Sequence, residues 1–370
     1  MNFGKIITWI LILFVVLLII ISFFGEENTD LSKVDLNSDY LINIDINNIK
    51  EKPSIIYGDL KNKIVYGSKD RIIDSEVYFC PEDNCEVELI NLINSSKESI
   101  DCAIYDISLD AVSSSLIDKK KEGLEVRIVT DYLRSSTKTS KIGDLKANNI
   151  FVISNPSSSS YMHNKFCVFD NKKIFIGSMN FTLNGVYKNN NNILILEDKE
   201  LALFFKKKID SFFDGNFSLD LKNNYYINQF GNIETYFCPE EDCYSHFLEK
   251  LEVANSIDCM FFSFTIDEVT DIISSKEIPS RFILESRTID NYSEFDRLID
   301  KNIFTIKDKN PESMHNKFCI FDNSFVMTGS MNLSNNGISN NDESIIFIYD
   351  ENITKEYINY FNKYWDLWNK

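Results

Sequence analysis

This chain carries the same arrangement of residues twice, and that constrains its fold more than anything else. Val77-Tyr78-Phe79-Cys80-Pro81, then Ser99-Ile100-Asp101-Cys102, then Tyr161 to Asp170 return as Thr235-Tyr236-Phe237-Cys238-Pro239, Ser256-Ile257-Asp258-Cys259 and Ser313 to Asp322. The offset is 158 residues at the first cysteines and 152 at the histidines, so the second copy is six residues shorter between them. Each copy, about 140 residues, is long enough to bury its own core. Within copy one, Glu86 to Ser96 has a helical apolar pattern. Ile100 to Ile107 and Leu124 to Thr130 are short β-rich runs with the amphipathic segment Leu109 to Lys121 between them, which predicts a βαβ unit. Further strands are expected at His163-Lys165, Ile174 to Ile176 and Ile193 to Leu196. Glu200 to Phe213 is expected to close the copy as a helix, and Tyr357 to Trp368 to close its counterpart. The expected class is α/β: two tandem sandwich repeats, each with a mixed sheet, packed about a pseudo-twofold axis.

The chemistry sits in the best-matched segments. His163-x-Lys165-x4-Asp170 is followed by Gly177-Ser178-x-Asn180, and His315-x-Lys317-x4-Asp322 by Gly329-Ser330-x-Asn332, with seventeen residues from His to Asn in each. Period-2 alternation puts His163, Lys165 and Cys167 on one strand face and Phe166 and Val168 on the other. A plain core strand would account for the phenylalanines. It would not account for a His and a Lys delivered together on one face, twice, with a Ser and an Asn arriving from the next strand.

These residues resemble the phospholipase D superfamily, the HKD phosphodiesterases, over about residues 77 to 368. The resemblance implies a metal-independent exchange at phosphorus that needs no cofactor. One His would form a phosphohistidine while the other protonates the leaving alcohol and then activates water or another alcohol. Lys165 and Lys317 would hold the non-bridging oxygens, with Ser178, Asn180, Ser330 and Asn332 as substrate-binding donors. Asp170 and Asp322 belong to the family's catalytic motif. They fall on the opposite strand face from the lysines, however, which favours a structural task. The family places a carboxylate downstream to orient its own histidine. Glu343 stands 28 residues after His315, and Asn191 stands 28 after His163. On that basis the carboxylate favours imidazolium at His315, the general acid/base, and leaves amide-partnered His163 as the nucleophile.

Ile6 to Phe24 is nineteen residues without a charge, long enough to span a bilayer as a helix and longer than the apolar region of a signal peptide. Lys5 precedes it while Glu26, Glu27 and Asp30 follow, which places the bulk of the chain outside the cytoplasm on a single-pass anchor. The expected organisation is a cytoplasmic stub and transmembrane anchor over 1–25, then a stalk over 26–76 with a β-hairpin at 54–58 and 63–67. Repeat one follows at 77–215, a linker at 216–234 and repeat two at 235–370, one monomer carrying both half-sites.

The eight cysteines fall into two equivalent sets. In that setting Cys80–Cys85 and Cys238–Cys243, each bracketing a proline, are expected as local disulfides, with a zinc site as the rival. Cys102, Cys167, Cys259 and Cys319 read as small core residues. The formal net charge of −18 disfavours a nucleic-acid partner. Lys119 to Lys121 and Lys206 to Lys208 read as solvated helix faces. The leading expectation is therefore an anchored phosphodiesterase acting on phospholipid headgroups. A nuclease of the same superfamily and an inactive surface binding protein are the alternatives.

Overall fold

The structure, a computed structural model, describes residues 71–217 and 228–370. The expected membrane span, the stalk and the hairpin at 54–67 lie outside these residues. Among the described residues no helix is long and apolar enough to cross a membrane.

The first repeat builds strands β1 (Asp74–Cys80), β2 (Ser99–Ile104), β3 (Glu125–Thr130), β4 (Phe151–Ser154), β5 (Lys165–Phe169), β6 (Lys173–Gly177) and β7 (Asn189–Glu197). They form one mixed sheet in the order β1-β7-β6-β5-β2-β3-β4, parallel only across β2-β3-β4. The second repeat builds β8 (Gln229–Phe230), β9 (Ile233–Cys238), β10 (Ile257–Phe261), β11 (Ser280–Leu284), β12 (Phe304–Lys307), β13 (Ser313–Met314), β14 (Lys317–Phe321), β15 (Phe325–Gly329) and β16 (Glu343–Ile348). Its sheet runs β12-β11-β10-β14-β15-β16-β9-β8. The end of the expected linker is thus not a connection: β8 and the start of β9 form a hairpin there, turning at Gly231 with φ 56°.

β13 departs from the plan of two separate sheets. It pairs with β7 of the first repeat, Ser313 and Met314 lying against Asn189 and Asn190. Met162 makes the reciprocal bridge to Asp342, just before β16. Each repeat therefore hands the segment leading into its histidine to the sheet of the other.

The inner faces of both sheets share one core. Phe166, Val168 and Leu194 from one repeat and Phe318, Ile320 and Ile346 from the other belong to the same apolar cluster. Two helices complete it. Lys199–Phe213 is N-capped by Asp198 and buries Leu201, Ala202, Phe205, Ile209 and Phe212 at helical spacing. Glu351–Trp368 is N-capped by Asp350 and buries Ile353, Tyr357, Tyr360, Phe361 and Tyr364. Truncating one fully buried phenylalanine such as Phe166 should cost about 3–5 kcal/mol. This shared core fixes one half-site relative to the other.

All eight cysteines are paired. Cys80–Cys85 and Cys238–Cys243 form the expected local disulfides, which removes the zinc alternative. The reading of the other four as core residues is corrected: Cys102 is bonded to Cys167 and Cys259 to Cys319. β2 and β5 place Cys102 directly opposite Cys167, β10 and β14 place Cys259 opposite Cys319, and the Cα atoms are 4.1 and 4.2 Å apart. That separation suits the close, non-hydrogen-bonded type of antiparallel pair. The lysine runs are also corrected in part, since Lys119 and Lys208 are buried and Lys208 is paired with Glu240.

Candidate active site

Each histidine stands just before the strand that carries its lysine, and its backbone is fixed by the opposite repeat. The His163 N–H donates to the carbonyl of Asp342 at 2.9 Å and the His315 N–H to the carbonyl of Asn190 at 2.8 Å. The next residues along those strands, Glu343 and Asn191, then face the histidines across the repeat boundary. His163 Nδ1 lies 2.8 Å from Glu343 Oε1 and Oε2, and His315 Nδ1 lies 2.9 Å from Asn191 Oδ1. This overturns the expectation that Glu343 orients His315 and Asn191 orients His163. The exchange of β13 and the Met162 bridge crosses the pairs, so each histidine is served from the other copy.

The Asn191 amide is fixed by its other contacts. Its Nδ2 donates to the Gly185 carbonyl at 2.8 Å, which leaves Oδ1 to accept from the Ser178 hydroxyl at 2.9 Å and from His315. His315 therefore carries its proton on Nδ1, and its Nε2 is left for the reaction. At His163 the partner is Glu343, which accepts from Nδ1–H whenever it is ionised. Ser178 and Ser330 also accept the N–H groups of Asn192 and Ser344, each at 3.0 Å, tying the G-S-x-N turn to the strand beside it. The glycine that opens this turn has no substitute. A Cβ on Gly177 would lie 2.1 Å from the Asn192 carbonyl oxygen, and on Gly329, at φ +141°, 2.2 Å from that of Ser344. Asn180 and Asn332 each have an amide oxygen buried without a partner, which leaves the donating amide nitrogens as the groups able to meet an anionic ligand.

Lys165 and Lys317 are fully buried, each ammonium donating to the carbonyl of its own histidine at 2.5 and 2.7 Å. Among the described residues neither has a carboxylate within 4.0 Å. Burial pushes Lys165 down to about 7 and holds Lys317 well below the ordinary lysine value. Burial, together with both lysines, also holds His163 and His315 below the ordinary histidine value, so the two rings rest neutral at pH 7. Both lysines act on both histidines, so the two half-sites form one centre. Burial raises Glu343 to about 8. A bound phosphodiester would supply the negative charge that this cavity lacks and restore the cationic forms.

Asp170 and Asp322 stand apart from this centre. They occupy the β5–β6 and β14–β15 turns, about 16 Å along the strand from the lysines at some 3.3 Å per residue. Asp170 accepts the backbone N–H groups of Lys97, Glu98 and Ser99, and Asp322 those of Asn255 and Ser256. Their placement among catalytic residues is corrected: each clasps its hairpin to the loop before the neighbouring strand.

Sequence reasoning missed three kinds of residue. Asp131 and Glu285 accept the N–H groups of Met162 and Met314 and so brace both lead-in segments; the shared signal is a carboxylate directly after β3 and β11. Tyr105 packs edge-on against His163 with ring centroids 4.9 Å apart, and Phe262 does the same to His315 at 4.9 Å. Arg134 donates from Nε to the Tyr105 hydroxyl at 2.8 Å. Among the described residues no group of three or more His, Cys, Asp or Glu is placed to hold a metal ion.

Two histidine–lysine half-sites facing each other across one core define a phosphodiester-exchange architecture. The family profile described as "Cardiolipin synthase, PLD-like domain" matches residues 89–213 and 264–365, and the chain belongs to that phospholipase D-like family. A mitochondrial cardiolipin hydrolase from Danio rerio is 31% identical over 134 residues, covering 36% of this chain and 59% of the relative. A phospholipase D from Rickettsia felis is 32% identical over 142 residues, covering 38% and 70%. These aligned stretches are about the length of one repeat. The phosphatidylserine synthase structure from Haemophilus influenzae superposes with a TM-score of 0.58 at 13% identity, over 76% of this chain and 84% of that one, a likeness of fold.

Proposed function

We propose that the protein is a phosphodiesterase that cleaves phospholipid headgroups through a phosphohistidine at His163. Nε2 of His163 attacks phosphorus as His315, protonated on Nε2 once the anionic substrate is bound, gives that proton to the departing headgroup oxygen. His315 then takes a proton from water, whose oxygen attacks the same phosphorus and frees His163. Lys165 and Lys317 hold the non-bridging oxygens, with Asn180 and Asn332 beside them.

The crossed pairing carries this reading, and it reverses the reason for assigning His163 as nucleophile. A histidine phosphorylated on Nε2 is a cation, and Glu343 at 2.8 Å stabilises it. An acid must lose its charge, and the amide of Asn191 does not hold the proton on His315 as a carboxylate would.

Three observations favour a lipid substrate. The relatives named above are a cardiolipin hydrolase and a phospholipase D. The net charge of −18 repels a polyanion over long range. The uncharged segment 6–24, read as an anchor, would hold the enzyme at high effective concentration beside lipid. Four disulfides fit an extracytoplasmic catalytic domain.

The full chain should be offered phospholipid vesicles and single- and double-stranded nucleic acid in parallel, with and without EDTA. Headgroup release insensitive to EDTA, abolished in His163→Ala, is expected. Strand cleavage without headgroup release would overturn the lipid reading, and loss with EDTA restored by a divalent ion would overturn the metal-free mechanism.

A further inference from the structure

The chain has six arginines, all described. Five are ion-paired: Arg71 with Asp198, Arg127 with Asp101, Arg281 with Asp258, Arg287 with Glu285 and Arg297 with Asp271. Arg134 is the exception, having no carboxylate within 4.0 Å among the described residues. It is also the arginine next to the active site.

Its side chain is nevertheless held in place. Nε donates to the Tyr105 hydroxyl, and the guanidinium sits 5.1 Å from the centroid of the same ring. The Tyr105 ring packs against His163 and lies 5.0 Å from Lys165 Nζ. The four terminal N–H donors of Arg134 have no acceptor among the described residues. Nearby acids do not claim them. One carboxylate oxygen of Asp131 accepts from the N–H groups of Leu133 and Arg134 and the other from that of Met162, and Asp106 lies beyond ion-pair distance. The second half-site offers nothing equivalent. Phe262 replaces Tyr105 there, so no hydroxyl can anchor a cation, and Arg287 folds back onto Glu285. An exposed guanidinium immobilised without an ion pair, in a protein this acidic, is a preformed fork for an anion that arrives with the substrate.

We infer that Arg134, anchored by Tyr105, is a specificity residue that binds a second anionic group, a phosphate or carboxylate, on a phospholipid headgroup whose phosphodiester lies between Lys165 and Lys317. The inference rests on the lipid reading for the source of that anion. It selects headgroups that carry their own negative charge over neutral and cationic ones.

The test compares the full chain with Arg134→Gln, Arg134→Lys and Tyr105→Phe on lipids of identical acyl chains bearing choline, glycerol or glycerol phosphate headgroups. A short single-stranded oligonucleotide forms a parallel arm. Wild-type protein should prefer glycerol phosphate to glycerol. Arg134→Gln should reduce that preference, the ratio of kcat/KM values, by about tenfold or more through KM, as expected for a lost charge-assisted bidentate contact. Arg134→Lys should restore part of it, and Tyr105→Phe should give an intermediate loss. Equal loss on all three lipids, or an undiminished preference in Arg134→Gln, would overturn the subsite. Should only the oligonucleotide be cleaved, with a KM raised in Arg134→Gln, the anion subsite would stand while the lipid source fell.

Discussion

His163 and His315 occupy the same place in two copies of one fold, yet one is backed by charge and the other by amides and phenols. Behind His163 stands Glu343, then Asp342, whose carboxylate lies 4.0 Å from Lys208, itself paired with Glu240. At the matching positions behind His315 stand Asn191 and then Asn190, whose amide donates to the hydroxyls of Tyr360 and Tyr364, with Tyr364 bonded to Glu82. Duplication gives two histidines of matched geometry. The electrostatics around them then diverge, and a nucleophile and an acid need different surroundings.

The part of the comparison that should stay symmetric gives the largest effects. Lys165→Ala and Lys317→Ala should each lower kcat/KM by about 10³-fold or more, since either change removes preorganised positive charge from the transferring phosphorus. A small effect at one lysine would mean that a single half-site bears the phosphate charge.

Exchanging the histidine partners probes the asymmetric part. Glu343→Gln should lower kcat by about 10²–10³-fold, because the cationic intermediate loses its counter-charge. The lost carboxylate also disfavours protonated His163, so the acid limb of the pH–rate profile should move to lower pH. Asn191→Asp should act in the other direction on His315. A carboxylate there raises its pKa, keeps the acid protonated to higher pH and moves the alkaline limb up, with a loss of about tenfold from weaker proton donation. Identical pH profiles in the two variants would show that the partners are interchangeable.

The cross-strand disulfides sharpen the comparison on the side of stability. Replacing Cys102 and Cys167 by serine should cost about 2–5 kcal/mol in denaturant unfolding, and the Cys259 and Cys319 pair should cost the same, because their loops of 65 and 60 residues are nearly equal. A large difference between the pairs would show that the two repeats unfold separately.

Much of this was legible in the sequence because it is repeated there. The histidines, lysines, serines and asparagines of both half-sites, the two local disulfides, the βαβ unit and the closing helices follow from matched spacing and local pattern, whereas β4 and the short helices Ile142–Ala147 and Leu183–Tyr187 do not. What escaped depends on register between distant strands. Cys102 and Cys167 become partners only once β2 and β5 align antiparallel, and nothing local in either strand reports that. Glu343 reaches His163 only because β13 and Met162 cross between the sheets, so counting residues within one copy assigns it to the wrong histidine. Asp170 and Asp322 carry the motif's spacing but act on backbone N–H groups at the far end of the strand. The Tyr105 and Phe262 difference was visible at equivalent positions, but its meaning required Arg134, which arrives from the turn after β3.

Direct trapping tests whether the carboxylate-backed histidine is the nucleophile. A radiolabelled phosphodiester with an activated leaving group that needs no proton should be mixed with His315→Ala and with His163→Ala, denatured in alkali to preserve phosphohistidine, and the label mapped by peptide. Stoichiometric label is expected on His163 in the His315→Ala protein and none in the His163→Ala protein. Label on His315 in the His163→Ala protein, with none in the other, would contradict that assignment.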